Sequence, residues 1–466
     1  MVDAALLART LAFRAAWRVR DGWSTGQLEL HRRRALAALR RHAYQRSAFY
    51  RQHHARLLAA PLSELPPVTK SELMGRFDEV VTVDGLRLAD VEAHLRELTD
   101  RRADPGRAWR HRWWAAATAG TTGRRGVFVW GREEWAAVLA SYARANDWAG
   151  VRLGLRAPLR MAVVSSLNPT HQSAVVGAAV RSHLVPTLRA DAATPLQETV
   201  LALNDFAPRL LVGYASVLGE LAAEQRAGRL RIRPEAVMSA SEVLSPTLAA
   251  EMTTAWGSQP FDVYAATETA GIASSCERRR RHLYEDLVVC EVVDDAYSPV
   301  PAGTPGSRLL VTVLFSRTVP LIRYELTDRV VLDPDPCPCG RPYQVLGGVE
   351  GRTEEVLTLP ARGGGRGVRV HPNVFHDVLD SPEVTGWQIS QEPNGLRVLV
   401  TGRQGLATGA VAERLQHALG DLGVTAPELR VDLVERLPRT TLGKSRLIRA
   451  LPSGPGGAPP TSRSAG

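Results

Sequence analysis

From Met161 onward the chain alternates short β-rich apolar runs with segments that read as helices. MAVVSS, SHLVPTL, RLLVGYAS, EAVMSASE and FDVYAATE each give way to small or polar residues that open a helix-like stretch. Parallel neighbours in a sheet need a crossover, usually a helix, so this alternation predicts an α/β domain with a largely parallel sheet. Three later runs, LVVCEVV, SRLLVTVLF and TVPLIRYEL, follow more closely and predict antiparallel strands. Residues 1–60 carry apolar positions at helical spacing.

A composition shift at 351–367 (GRTEEVLTLPARGGGRG) predicts a hinge and loop. Beyond it GWQISQEP, GLRVLVTG, a helix over 411–422 and LRVDLVERL form an α+β pattern. The expected organisation is a large N-terminal domain over 1–351 with mixed, largely parallel sheets and a hinge at 352–355. A small mobile α+β lid over 356–451 follows, and then a disordered Pro/Gly/Ser-rich tail over 452–466. No internal repeat is present.

Composition removes several classes. The 44% hydrophobic and 23% charged content excludes wholesale disorder. No run approaches the roughly 18 apolar residues of a membrane-spanning helix. The N-terminal segment is interrupted by Arg9, Arg14 and Arg18, which predicts a mature cytoplasmic start. Four cysteines cannot supply a disulfide scaffold. The net charge of +10 suits anionic partners, from nucleic acid or acidic lipid to phosphorylated small molecules. His31–Arg34 with Arg40 and Arg41 is expected to be a solvated helix side rather than a nucleic-acid face. Among 58 basic residues only Lys70 and Lys444 are lysine. A lysine kept in such a chain marks a place where a compact point charge serves better than the planar guanidinium.

The sharpest local signal is Thr118-Ala119-Gly120-Thr121-Thr122-Gly123-Arg124-Arg125-Gly126. Its glycines free the backbone to wrap an anion, its threonines supply hydroxyls and its arginines supply charge. It lacks the GxxxxGK[ST] phosphate-loop pattern, and an ordinary hairpin turn is the plain alternative. Further along come Val263-Tyr264-Ala265-Ala266-Thr267-Glu268, then PLIRYELTD ending at Asp328, then Gly351-Arg352-Thr353-Glu354-Glu355, and finally PRTTLGK ending at Lys444. In this order and spacing, over nearly the whole chain, the sequence resembles the adenylate-forming acyl ligase superfamily, and within it the phenylacetate–CoA ligases.

The resemblance implies two half-reactions. A carboxylate attacks the α-phosphate of ATP, and a thiol, usually CoA, then displaces AMP. It implies that Thr118, Gly120, Thr121, Thr122 and Gly123 hold the departing phosphates. Tyr264 would stack on adenine beside Ala265 and Ala266, with Ser241 and Glu242 lining the same pocket. Thr267 would bond the α-phosphate and Glu268 would hold Mg²⁺. Asp328 would take the ribose hydroxyls, with Arg352 near ribose and phosphate. Lys444 would neutralise charge as the acid meets the α-phosphate, and the lid carrying it would rotate for the second step. Lys70, in PPVTKSEL, is expected to be structural.

Cys276 and His282 stand six residues apart, and Cys337 and Cys339 two apart in a turn, a Cys₃His set suited to structural Zn²⁺. Free thiols in loops are the alternative, and Cys290, in an apolar run, is the bystander. The adjacent Arg278–Arg281 run is expected to be a solvated loop.

Where the phenylacetate–CoA ligases carry an aromatic, glycine-rich stretch at the acid pocket, this chain has Ser165-Ser166-Leu167-Asn168-Pro169-Thr170-His171-Gln172. Ser165, Ser166 and His171, with Tyr214, imply a polar pocket for a polar or amino-substituted aromatic acid. The loop before the lid is longer and richer in Gly and Arg than is usual, which weakens the expectation of CoA. Two rivals follow. One is adenylation with another acceptor in secondary metabolism: an amine, a carrier-protein thiol, or nitrite activated to diazotise an aryl amine. The other is a non-catalytic nucleotide- or nucleic-acid-binding protein, disfavoured by intact Glu268, Asp328 and Lys444 and by the lack of a groove-reading motif. The expected ligands are an acid, ATP, Mg²⁺, Zn²⁺ and CoA. No nucleic acid or membrane partner is expected, and a homodimer or a carrier protein completes the list.

Overall fold

The computed structural model describes residues 3–449 apart from 102, 119–124, 153–157, 181, 193, 353–356, 363–366, 371, 380, 382, 403–404, 426–427 and 439–447. The chain divides into two compact units, and one boundary between them falls between Thr353 and Glu354.

The first unit opens on helices Ala4–Arg20, Thr25–Arg46 and Ala48–His53. Each has a side-chain cap that satisfies an otherwise orphaned N–H of its first turn. Asp3 accepts from the Leu6 amide at 3.1 Å. Ser24 and Gln27 form a reciprocal capping box. Ser47 ends the second helix and caps the third.

The strands follow in chain order: β1 (Trp113–Ala117), β2 (Val127–Gly131), β3 (Met161–Ser165), β4 (Thr187–Asp191), β5 (Leu210–Gly213), β6 (Ala236–Ala240), β7 (Phe261–Ala266), β8 (Ala270–Ser275), β9 (Arg281–Leu283), β10 (Val288–Val293), β11 (Arg308–Val313), β12 (Tyr324–Leu326), β13 (Asp328–Leu332) and β14 (Val345–Arg352). Nine of them form one sheet in the order β13-β14-β9-β8-β7-β6-β5-β3-β4. Strands β4, β3, β5, β6 and β7 are parallel. From β7 to β13 every pairing is antiparallel. Strands β10, β11 and β12 make a separate antiparallel sheet, as the closer spacing of their apolar runs predicts. The fold is therefore the expected mixed α/β architecture. One strand is displaced from its apolar run: β4 begins at Thr187, after Pro186, and takes in Arg189 and Asp191. It is an edge strand with a single neighbour, so half-buried polar positions are tolerated there.

The helix Arg132–Trp148 is fixed at both ends by buried charge. Near its start Glu134 accepts from the amides of Gly131 (2.8 Å), Arg317 (2.6 Å) and Thr318 (2.9 Å) and from the Thr318 hydroxyl. Burial pushes this carboxyl above its usual range, against the four donors that favour the anion. Farther along, buried Arg144 donates to Asp286 at 2.7 Å, to Asp21 at 3.2 Å and to the Tyr343 hydroxyl at 2.6 Å. Trp17, Trp148, Tyr284 and Tyr343 surround its guanidinium at 4.9 to 5.8 Å.

The second unit has β15 (Leu357–Leu359) paired with β16 (Val368–Val370), and a sheet of β17 (Val384–Glu392), β18 (Gly395–Gly402), β19 (Glu428–Leu433) and β20 (Ile448–Arg449) in the order β19-β18-β17-β20. Its own core contains Phe375, Leu379, Trp387, Ile389, Val398, Val411, Leu415 and Leu419. Among the described residues no helix is long and apolar enough to cross a membrane.

Arg144→Ala leaves the fully buried Asp286 carboxylate without its inner partner. The expected loss is about 3–5 kcal/mol of unfolding free energy, read from urea denaturation with the slope unchanged.

Candidate active site and metal centre

The carboxyl edge of a parallel sheet is where open α/β folds gather ligand-binding residues, because each strand there hands over to a loop or a helix. Four such ends carry the residues singled out in the sequence. β3 ends at Ser165 and leads to Ser166, and β5 leads to Tyr214. β6 leads to Ser241 and Glu242, and β7 leads to Thr267 and Glu268. The turn after β6 is sharp: Ser241 sits at φ +68°. Glu242 Oε2 then accepts from the Ser216 amide at 2.9 Å, which ties that turn to the helix following β5. The Ser166 amide donates to the Tyr214 hydroxyl at 3.0 Å, joining the ends of β3 and β5. His171 is buried and stands at the N-cap position of the helix Gln172–Ala179 without a side-chain capping bond.

The Tyr264 hydroxyl donates to Asp328 Oδ2 at 2.8 Å. Along the sheet β7 and β13 are four strands apart, about 19 Å if it were flat. The sheet must curl to bring them into contact. Asp328 is buried and Cα-paired in register with Arg352 across β13 and β14. Beside them Glu268, also buried, lies with Oε1 3.4 Å from the Tyr324 hydroxyl. Residues from three separated motifs therefore converge: Tyr264 and Glu268, then Asp328 with its neighbour Tyr324, then the backbone of Arg352.

Thr118 closes the stem of the Gly/Thr loop. Its amide donates to the Gly126 carbonyl at 2.9 Å, and its Oγ1 accepts from the Gly126 amide at 2.9 Å. The loop is thus the turn of the β1–β2 hairpin. Gly120, Thr121, Thr122 and Gly123 lie outside the described residues, as does Lys444. Arg125 leaves the stem, donating to the Thr118 carbonyl at 3.2 Å and to the Thr170 hydroxyl. Ala265 and Ala266 complete β7. Lys70 opens the short helix Lys70–Gly75 behind its cap Thr69.

A second constellation sits at the antiparallel end of the sheet. Cys276 follows β8, His282 is in β9, and Cys337 and Cys339 lie in the β13–β14 connection. Strand pairing brings β8, β9 and β14 side by side, and the four potential ligand atoms all fall within 4.8 Å of one another. Cys276 Sγ and Cys337 Sγ are 3.8 Å apart, and Cys339 Sγ is 3.2 Å from His282 Nε2. Tetrahedral zinc with Zn–S bonds of about 2.3 Å needs sulfurs roughly 3.8 Å apart, so the donor set fits it in kind and in spacing. His282 Nδ1 lies 2.9 Å from the Tyr343 carbonyl. A carbonyl only accepts, so Nδ1 carries the proton and Nε2 keeps its lone pair toward the sulfurs. Gly340, at φ +80°, turns the chain after Cys339 where a side chain would strain it. Burial drives the thiol of Cys337 up to about 11. Cys339 is held below its usual value, because the Arg341 amide and guanidinium outweigh burial there.

In the neighbouring arginine run Arg278 is exposed, as the sequence suggests, while Arg279, Arg280 and Arg281 are half-buried and engage partners in the fold. Arg280 donates to Asp333 at 2.6 Å and to the carbonyls of Pro336 and Asp335 at 2.8 Å. Arg281 donates to Asp262 at 2.8 Å. Arg279 lies over Phe261 at 3.6 Å. In the N-terminal helices, likewise, Arg40 donates to the carbonyls of Leu57 and Ala60, and His31 bonds the Asp286 carbonyl.

Sequence reasoning overlooked the residues that brace the site. Tyr324 and Gln172 lie within quoted stretches but drew no role, and Tyr142 has no motif at all. Their one sequence signal is polarity at a position that packing buries.

No family model matches the chain. Phenylacetate–coenzyme A ligase of Thermus thermophilus is 28% identical over 276 residues, 56% of this chain and 60% of that protein, so the match spans about three-fifths of the relative's length. Among solved structures, 2-hydroxyisobutyryl-CoA ligase in the postadenylation state with 2-HIB-AMP aligns with a TM-score of 0.72 at 20% identity, covering 93% of this chain and 91% of that one. The anthranilate CoA ligase in complex with anthranoyl-AMP aligns with a TM-score of 0.50 at 18% identity, covering 71% of this chain and 66% of that one. The fold is that of the adenylate-forming acyl ligases. The sequence likeness, at 28% identity, is to a phenylacetate–CoA ligase.

Proposed function

We propose that this chain is an ATP-dependent, AMP-forming ligase that adenylates a polar or amino-substituted aromatic carboxylic acid and passes the acyl group to CoA. The observation that carries the reading is the Tyr264–Asp328 hydrogen bond beside buried Glu268. It gathers an aromatic face and two carboxylates at the carboxyl end of β7, the groups needed for adenine, ribose hydroxyls and a divalent cation. Relatives that act on phenylacetate and anthranilate support the aromatic class.

In this reading the adenine stacks on Tyr264 beside Ala265 and Ala266, and the Ser241–Glu242 turn lines the same pocket. Asp328 accepts from the ribose hydroxyls, with Arg352 nearby. Thr118 and the loop through Gly120, Thr121, Thr122 and Gly123 receive the β- and γ-phosphates. Thr267 donates to the α-phosphate, and Glu268 holds Mg²⁺ by a hard oxygen ligand. The acid lies against Ser165, Ser166, His171 and Tyr214, whose hydroxyls and imidazole favour a hydrogen-bonding substituent over a bare ring. Lys444 supplies the point charge that offsets repulsion as carboxylate and α-phosphate meet. The lid over 356–451 carries it, turning about 352–355 between half-reactions.

Cys276, His282, Cys337 and Cys339 would hold one Zn²⁺ in a closed tetrahedral site remote from the reaction. Bound there, the metal is a structural cross-link.

ATP–pyrophosphate exchange without CoA, run over benzoic, phenylacetic, cinnamic and amino-aryl acids plus nitrite, tests the first half-reaction. Exchange with an aryl acid is expected, and CoA-dependent AMP release then tests the second. Exchange with nitrite alone would replace the acyl-ligase reading with anion activation for diazotisation. Lys444→Ala should lower exchange on the order of 10²–10³-fold while ATP still binds.

Metal analysis of the purified protein should find about one zinc per chain, reduced in Cys337→Ser together with the melting temperature. A metal-free wild type of equal stability would remove the zinc assignment.

A further inference from the structure

Toward its C-terminal end the loop from Ser165 to Gln172 is bolted to two other parts of the site. The Thr170 carbonyl accepts from the Ala117 amide at 2.8 Å, and the Thr170 hydroxyl accepts from Arg125. Asn168 Oδ1 holds the same residue through its amide (3.0 Å) and its hydroxyl (2.8 Å). Two residues on, Gln172, the first residue of its helix and itself buried, reaches across to the segment after β7. Its Nε2 donates to the Thr267 carbonyl at 3.0 Å, and its Oε1 accepts from the Tyr142 hydroxyl at 2.7 Å.

The chemistry fixes the orientation of that amide. The Thr267 carbonyl can only accept, so Nε2 must face it. Burial raises the Tyr142 phenol, so it stays protonated and remains a donor. Gln172 is therefore held at both polar ends and cannot flip without leaving a buried carbonyl or hydroxyl unpaired, a loss of about 1–3 kcal/mol.

We propose that Gln172 is a positioning residue that sets the backbone of Thr267 and Glu268 from the acid-binding loop. This rests on the adenylation reading above. In this proposal Gln172 acts through that peptide rather than on either substrate. It transmits the place of the acid loop to the peptide that carries the α-phosphate and cation ligands, so the two substrates' sites keep one mutual register. A shift of a few tenths of an ångström at Thr267 alters in-line geometry more than it alters the affinity for either substrate.

The variants to make are Gln172→Ala, Gln172→Glu and Tyr142→Phe, each checked for folding by thermal melting. Pyrophosphate-exchange kinetics and Mg·ATP binding by calorimetry are then compared with wild type. Gln172→Ala should lower kcat about 10- to 100-fold with the KM for acid and the Kd for Mg·ATP within about 3-fold of wild type. Gln172→Glu keeps the acceptor and the shape but loses the donor to Thr267, so it should resemble Gln172→Ala. Tyr142→Phe removes only the distal bond and should fall between. A KM for acid raised alone would make Gln172 a pocket residue and overturn the proposal. So would an unchanged kcat in a folded Gln172→Ala, or a Gln172→Glu with wild-type kcat. If the wild type binds no Mg·ATP and exchanges with nothing, the adenylation reading itself fails, and the proposal with it. Should Gln172→Ala not fold, the Gln172→Glu and Tyr142→Phe pair decides by the same criteria.

Discussion

Arg144 is the interaction on which the first unit turns. One guanidinium binds Asp21 after the first helix, Asp286 between β9 and β10, and Tyr343 just before β14, so three distant stretches share a single cation. Asp286 also takes Arg20, which draws the first helix onto the same point. A charge taken so far from water is costly unless its whole fork is satisfied and its flat faces are covered. Here the carboxylates and the phenol fill the edge, and four aromatic rings cover the faces. The reach of this node extends to chemistry, because Tyr343 offers its hydroxyl to Arg144 and its carbonyl to His282. The tautomer of the histidine in the cysteine cluster is thus set one residue away from the core's central ion pair.

The candidate active site depends on a different constraint, the curl of the nine-stranded sheet. Parallel strands line up their carboxyl ends by construction, so the residues after β3, β5, β6 and β7 share an edge as soon as the sheet forms. Asp328 has no such guarantee. It reaches Tyr264 because the antiparallel strands β8, β9, β14 and β13 bend round from β7. The antiparallel half is therefore as much a part of the candidate site as the parallel half.

Much of this was legible from the residues. The parallel strands followed from apolar runs separated by helical segments, and the separate β10–β11–β12 sheet from runs too close for crossovers. The Cys₃His set could be read from composition and spacing, since three of the four cysteines and one histidine stood in two short-range pairs. The bracing residues could not. Gln172 and Tyr142 lie 30 positions apart, and neither is unusual for its element; only packing turns two ordinary polar side chains into a buried relay. The arginine run Arg278–Arg281 was only half legible. Four consecutive cations look like a surface, which Arg278 is, and nothing local announces that Asp262 of β7 and Asp333 after β13 receive two of the others.

The joint between β9 and β14 is only two register pairs long, Val345 with His282 and Leu346 with Arg281. Every other neighbour in the antiparallel half is held by a longer ladder. What crosses this short joint is mostly side chain: the cysteines against the histidine, Arg280 against Asp333, and Arg281 against the Gly347 carbonyl. The β13–β14 hairpin therefore behaves less like a woven strand than like a flap sewn on by a few stitches. Since Asp328 rides on that hairpin, its side of the candidate site inherits part of its fastening from sulfur and guanidinium chemistry at the far end of the hairpin.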